Sequence, residues 1–427
     1  MPARGSTPPR RSGSPSTARL GQHLRYLDSI RGLSALYVAA CHAWLMYAVQ
    51  VADQGLRSTA GGLLVATSWL AFGRSAVAVF IVLSGYCLML PVVQSPAREL
   101  RLTFWQFMAR RARRILPPYY GALAVSIALI LMVPSLQDAS IGEWHKSFPA
   151  ISIGSVASHL VLLHNYVPAY QYAIDHPLWS VATEWQIYFL FPLLVWIGRT
   201  YGDFRVVTAS VAITAALSMF IVSAWPDHNP WPPQFVGLFG FGMACAAWSF
   251  PREIDAKRLN SRRWGRSAAL LLTAGAASNL VFATTNERIP DLLIGAGIGC
   301  ALVFLTDAMV KGRRLFTLRV LELRPLIELG RFSYSLYLLH APMLALFFLL
   351  ARHWGLGTVK FQLFILGVAL PATVGVSYLF FLVFERPFLN PHTSTIRVAA
   401  PSLARTPSRQ ASASNAGAGV WLRCLPR

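Results

Sequence analysis

The stretch LSALYVAACHAWLMYAVQV (33–51) runs nineteen residues without a charged side chain and carries one histidine, His42, near its middle. As a helix it climbs about 28 Å, close to the ~30 Å hydrocarbon thickness of a bilayer. Nine further segments read the same way: about 73–93, 118–133, 178–197, 206–224, 234–250, 267–283, 290–309, 332–350 and 362–384. Shorter apolar runs at 62–72 and 151–163 read as interfacial segments, the first alternatively as an extension of the second span. Composition agrees. Of 427 residues 55% are hydrophobic and only 13% charged, whereas a soluble domain carries about a quarter charged residues. The sequence therefore predicts an all-α, polytopic transmembrane helix bundle of about ten spans.

The net charge of +21 points to membrane orientation rather than to nucleic acid. With the N-terminus placed inside and sides alternating, the inner segments hold 32 Lys and Arg and the outer ones 6. Such a bias is the positive-inside signature of a multi-pass protein in the cytoplasmic (inner) membrane, with both termini cytoplasmic. Residues 1–25, rich in Arg, Ser, Pro and Gly, lack the apolar core of a cleavable signal; with 389–427 they read as disordered tails around a folded unit at 26–388. The five cysteines suggest no disulfide framework.

Ionisable groups inside a span are costly and mark candidate functional positions. His42 and His340 both fall about 12–13 Å from the inner face, and Ser84, in FIVLSGY (80–86), at a similar depth. Arg31 lies eleven residues before His42 and so on nearly the same helix face, beside Gly32, Ala35 and Ala39, small residues that admit a neighbouring helix. An imidazole takes and returns protons near neutral pH, so His42 is a candidate acid–base group; a histidine satisfied by a neighbouring backbone is the competing reading. In LWSVATEWQIY (178–188), Ser180, Glu184 and Tyr188 share a face; Glu184 reads either as a partner of His42 or a substrate hydroxyl, or as a tether between helices. Ser84 reads first as a kink or packing serine bonded to its own backbone and second as a nucleophile. In FSYSLYLLHAPM (332–343), Ser333, Tyr337 and His340 form one stripe, with His340 in a supporting role or as a capped core histidine.

The loop before the third span, RRARRILPPYY (110–120), contains R-x-x-R-x-x-P at Arg111, Arg114 and Pro117. Paired guanidinium forks bind phosphate oxygens, and the same charges serve orientation and anionic lipid contact. Glu385 is expected to pair with one of these arginines. The external loop 134–177 holds four histidines without cysteine, which argues against zinc. Its aromatics, Tyr166, Tyr170, Tyr172 and Trp144, suit a sugar platform or an interfacial belt.

Taken in order, LDSIRG followed by His42, FIVLSGY, the arginine box, LLHNY (162–166), LWSVATEW with QIYFLFP (186–192), FSYSLYLLHAPM and FERPF (384–388) resemble the acyltransferase 3 family of integral-membrane acyltransferases. The resemblance covers about 27–388 and makes 26–388 an acyltransferase domain. It implies transfer of an acyl group, commonly acetyl from acetyl-CoA, to a carbohydrate hydroxyl such as that of O-antigen, exopolysaccharide, peptidoglycan or a lipid-linked saccharide. It points to His42 as the catalytic histidine, with Glu184 beside it. Arg31, Arg111, Arg114, Ser84, Tyr337 and His340 would bind substrate and acyl-CoA. No metal or resident cofactor is implied, acyl-CoA being a co-substrate. The chain departs from the family pattern at Ala76, Val77 and Ala78, where many relatives are acidic, and at Thr183, which leaves Glu184 the single carboxylate of its motif. Some relatives add an extracytoplasmic hydrolase-like domain; without one, the membrane domain would deliver the acyl group alone or to a partner. A succinyl donor is a variant of this reading. The rival is a transporter or flippase of a lipid-linked sugar, without chemistry.

Overall fold

The computed structural model describes residues 24–54, 59–95, 97–137, 151–224, 232–251, 260–282 and 287–389. The two tails lie outside the described residues, as does all of 138–150, including Trp144 and His145. Every described regular element is helical. In chain order they are α1 (Tyr26–Gln54), α2 (Thr59–Ala66), α3 (Gly73–Val93), α4 (Phe104–Met132), α5 (Ile153–Leu160), α6 (Leu178–Tyr188), α7 (Phe191–Tyr201) and α8 (Asp203–Ala224). Then follow α9 (Gln234–Ser249), α10 (Ser261–Phe282), α11 (Arg288–Val310), α12 (Phe316–Leu321), α13 (Arg324–Arg331), α14 (Ser333–His353) and α15 (Thr358–Phe388).

All ten segments expected to span are helical, but among the described residues six helices are long and apolar enough to cross a bilayer: α3, α4, α8, α11, α14 and α15. A seventh arises if α6 and α7 form one span, bent by 44°. Pro192 in the first turn of α7 accounts for the bend: its ring and missing N–H interrupt the ladder there. The sequence also counted α1, which carries Asp28, Arg31 and His42 and is not among these six, α9, which is apolar but only 16 residues long, and α10, whose first six residues include Arg262, Arg263 and Arg266. Large apolar side chains such as Met132, Met219 and Leu280 lie exposed, as suits a lipid-facing surface. The protein is a multi-pass helical membrane protein.

Two sequence expectations change. The arginine box does not sit in a loop. α4 starts at Phe104 behind a Thr103–Gln106 capping box and continues through Pro117 and Pro118, so Arg111 and Arg114 stand on a span-length helix. Prolines of this kind are tolerated where neighbouring helices re-satisfy the freed carbonyls. Glu385 does not pair with either arginine: its carboxylate accepts from the Ser335 N–H at 3.1 Å and hydroxyl at 2.5 Å, pinning the end of α15 to the start of α14.

Close helix crossings rest on glycine. A Cβ on Gly85 would stand 2.1 Å from the Phe239 carbonyl oxygen, and one on Gly242 2.2 Å from that of Val82, so α3 and α9 touch backbone to backbone. Gly330 likewise lets α13 meet Asp28 of α1. The small-residue seam expected on α1 is present: Ala35 and Ala39 are fully buried against Phe332, Leu336 and Phe381. A buried hydroxyl cluster ties four helices, with Thr306 bonded to both Tyr26 and Tyr86 at 2.6 Å and Tyr86 donating to Ser249 at 3.0 Å. In a bilayer such bonds average only about 0.6 kcal/mol each, so dense packing carries most of the association.

Candidate active site

α1, α3, α4, α6 and the α13–α15 segment enclose one large cavity of about 1570 Å³, above the ~300–1,000 Å³ of ordinary small-molecule pockets. Seven arginines line it, against five carboxylates. Arg25, Arg324, Arg331 and Arg386 are among them and had not stood out in the sequence, because each reads singly as an orienting charge. Arg31, Arg111, Arg114, Ser84, Glu184 and Tyr337, all singled out in the sequence, line the same cavity. Two of the arginines are committed: Arg31 to Asp28 at 3.2 Å and Arg331 to Glu328 at 2.7 Å. Among the described residues neither Arg111 nor Arg114 has an ion-pair partner within 4 Å. The Arg111 Nε is buried without a hydrogen bond. A buried unpartnered guanidinium nitrogen is costly and marks where an anionic ligand would be held. The Phe107 ring, 6.0 Å from the Arg111 guanidinium carbon, fixes the stem.

Deeper in, the lining turns apolar around Val77, Phe80 and Ile81, with a short polar chain set among them. Tyr188 donates to the Glu184 carboxylate at 2.5 Å, and its hydroxyl lies 2.8 Å from Ser84 Oγ. The i, i+4 spacing of Glu184 and Tyr188 on α6 brings them together. Glu184 therefore does not hold His42; it belongs to this cavity wall. Ser84 spends its hydroxyl on Tyr188, neither on its own backbone nor on a histidine.

The cavity ends where the Tyr337 hydroxyl meets Ser180 Oγ at 2.6 Å and the Tyr337 ring meets Phe80 edge to face at 5.6 Å. Behind Tyr337 stand two histidines, His340 fully buried and His42 partly so. His340 Nε2 is 3.0 Å from His42 Nδ1, and the ring centroids are 4.9 Å apart. His340 thus binds His42 rather than lining the cavity, which separates it from the acyl-CoA-binding residues among which the sequence placed it.

From the opposite end, the connection between α5 and α6 reaches His42. His176 meets the His42 ring edgewise at 5.8 Å, and Tyr172 stacks on His176 at 4.5 Å and 15°. Arg74, at the start of α3, bonds Glu287 at 2.7 Å and Asp291 at 3.2 Å and lies over Trp179. Sequence reading had Tyr172 as one of several aromatics suited to a sugar platform or an interfacial belt and gave His176 no role, since a loop offers no periodicity to point with. The connection is anchored. Asp175, bonded by Ser126 at 3.0 Å, is buried, and burial pushes its carboxyl up to about 8. His159 and His164, which burial holds below the usual imidazole range, stack as neutral rings at 3.8 Å and 3°.

A profile of the acyltransferase domain matches residues 24–382, a stretch that takes in the cavity, the histidine pair and the Tyr172 approach. The chain belongs to the acyltransferase 3 family. It is 24% identical over 340 residues to the peptidoglycan O-acetyltransferase OatA of Listeria monocytogenes, covering 75% of this chain and 50% of that protein. To the O-acetyltransferase OatA of Staphylococcus aureus it is 23% identical over 323 residues, covering 73% of this chain and 52% of that protein. The chain thus spans about half the length of these curated relatives. No solved structure matches it. Within the acyltransferase 3 domain Arg31 and the arginine box line the cavity, while the α14 histidine pairs with His42 behind Tyr337.

Proposed function

We propose that the protein is a membrane O-acyltransferase that takes an acyl group, acetyl in the first instance, from cytoplasmic acyl-CoA and places it on a hydroxyl of a saccharide arriving from the other side of the inner membrane. The single observation that carries this is the arrangement along one line: an arginine-rich cavity with an unpartnered buried guanidinium, a tyrosine partition, and a histidine pair reached from the opposite end. The names of the relatives, both O-acetyltransferases, support it.

The CoA phosphates would lie on Arg111 and Arg114, which carry the charge and fork geometry for them. The pantetheine arm would follow the apolar wall to Tyr337. His42 would remove the acceptor proton as the hydroxyl oxygen attacks the thioester carbonyl. A C–O bond forms, the C–S bond breaks, and the proton passes through His42 to the CoA thiolate. Direct transfer fits better than an acyl-serine. A nucleophile needs its base within hydrogen-bond reach, and Ser84 is bonded to Tyr188. The Ser180–Tyr337 bond must open for thioester and histidine to meet. Holding donor and acceptor at one seam supplies much of the barrier reduction.

The deciding experiment is purified protein with labelled acetyl-CoA. An acyltransferase binds it and slowly hydrolyses it; a flippase does neither, and that result would return the rival reading. Mass spectrometry of surface polysaccharide from a deletion strain then identifies the acceptor.

Two predictions follow from the geometry. On the ten-span count of the sequence, the 32 to 6 charge split would put the arginine end of the cavity in the cytoplasm. Accessibility tags at residue 427 and in 134–177 should therefore report inside and outside; a cytoplasmic 134–177 would invert the scheme. At the far mouth, Tyr172 offers an aromatic face beside the Arg74–Glu287 pair. Tyr172→Ala is expected to raise the acceptor concentration for half-maximal transfer about tenfold, and Tyr172→Phe to leave it near wild type, as for loss of one aromatic contact. Equal acceptor curves for the Ala variant and wild type would remove Tyr172 from the acceptor path.

A further inference from the structure

His340 has both ring nitrogens engaged. Its Nδ1 is 2.8 Å from the Tyr337 carbonyl oxygen, one turn back on α14, and its Nε2 is 3.0 Å from His42 Nδ1. A carbonyl only accepts, so the proton of a neutral His340 sits on Nδ1 and Nε2 presents a lone pair. The His42 Nδ1 facing that lone pair also lies 3.1 Å from the Val38 carbonyl oxygen, a second acceptor. His42 must then carry its proton on Nδ1, which leaves the lone pair on Nε2. Both rings are held in place: His340 is fully buried, and His42 is gripped on α1 between Val38 and His340.

We infer that His340 is the positioning residue of the acyl transfer, fixing His42 in the Nδ1–H tautomer so that Nε2 is the nitrogen that takes the acceptor proton. The inference rests on the proposed acyltransferase reading and adds to it a defined atom and a defined partner. The proton balance is simple. When Nε2 receives the hydroxyl proton, the Nδ1–H bond to His340 shares the new positive charge between two imidazoles, and the proton returns from Nε2 to the leaving thiolate. No carboxylate is needed for this: Glu184 is engaged by Tyr188 on the other side of the Tyr337 partition. A neutral acceptor on the far ring nitrogen orients a histidine as a carboxylate or carbonyl does elsewhere.

The competing role is structural, a buried histidine that only fills space between α1 and α14. Two variants separate them. His340→Gln can offer its amide oxygen to His42 Nδ1; His340→Leu fills the volume and offers nothing. The turnover rate of purified protein on acetyl-CoA is expected to fall about 100-fold or more in His340→Leu, in the range lost when an acid–base group is mispositioned, and to recover to within about tenfold in His340→Gln. Acetyl-CoA affinity, set at the far end of the cavity, is the folding control and is expected to stay within about twofold in both. Solid-state NMR of protein labelled with nitrogen-15 histidine gives a readout free of activity: His42 is expected to show a protonated, pyrrole-type Nδ1 and a pyridine-type Nε2, and to become a tautomer mixture in His340→Leu. A His340→Leu enzyme turning over like wild type, or a wild-type His42 protonated on Nε2, overturns the assignment. Failure of wild type itself to turn over acetyl-CoA would instead count against the acyltransferase reading, and the NMR result would still decide the tautomer.

Discussion

His42→Ala is expected to abolish acyl transfer while the protein still inserts, purifies and binds acyl-CoA. Removal of a positioned acid–base group costs about 10²–10⁴ in rate, and His42 meets both His340 and the Tyr172–His176 approach. His42→Gln keeps a hydrogen-bonding head but cannot accept a proton at neutral pH, so it should fail as well. A space-filling histidine would show the reverse: Gln would rescue, and Ala would lower the yield of folded protein. Transfer by either variant within about tenfold of wild type, well short of the general-base range, removes His42 as the base.

The second large effect belongs to Arg111 and Arg114. Changing either to Gln should weaken acetyl-CoA binding by about 1.5–3 kcal/mol, the worth of a hydrogen bond to a charged group, or roughly 10- to 150-fold in dissociation constant. Arg111 is expected to cost more, because its Nε is buried without a hydrogen bond among the described residues. Insertion should survive, since many other cations orient the chain. Calorimetric titration of purified variants with acetyl-CoA measures this directly. Unchanged affinity in both would leave these arginines with lipid contact alone.

Much of the bundle is legible in the sequence because lipid enforces it. Each of the ten apolar runs became helix, and the Gly32–Ala35–Ala39 seam is buried as small residues on one face require. The face shared by Arg31 and His42 was readable from eleven-residue spacing on a straight helix. The pairing of His42 with His340 was not: the two are 298 positions apart, and equal depth does not say which helices are neighbours. Glu184 shows the same limit. Its i+4 neighbour Tyr188 was visible on the shared face, but a periodic stripe cannot say whether that face looks toward Ser84 or toward His42. The reading of 110–120 as a loop stopped at the edge of the apolar run near 118, whereas the helix that carries this run starts at Phe104 and passes through Pro117 and Pro118. The approach through Tyr172 and His176 rides on a connection anchored by Asp175 and the His159–His164 stack, contacts with no local sequence signature.

Protein reconstituted in proteoliposomes, with labelled acetyl-CoA on the side of the arginine cavity and a neutral N-acetylglucosamine oligosaccharide on the side of Tyr172, tests transfer across the membrane directly. Labelled acetyl ester on the oligosaccharide, absent with His42→Ala, is the expected result. Consumption of no acetyl-CoA, or passage of the oligosaccharide across the membrane unmodified, would contradict an acyltransferase that joins the two sides at His42.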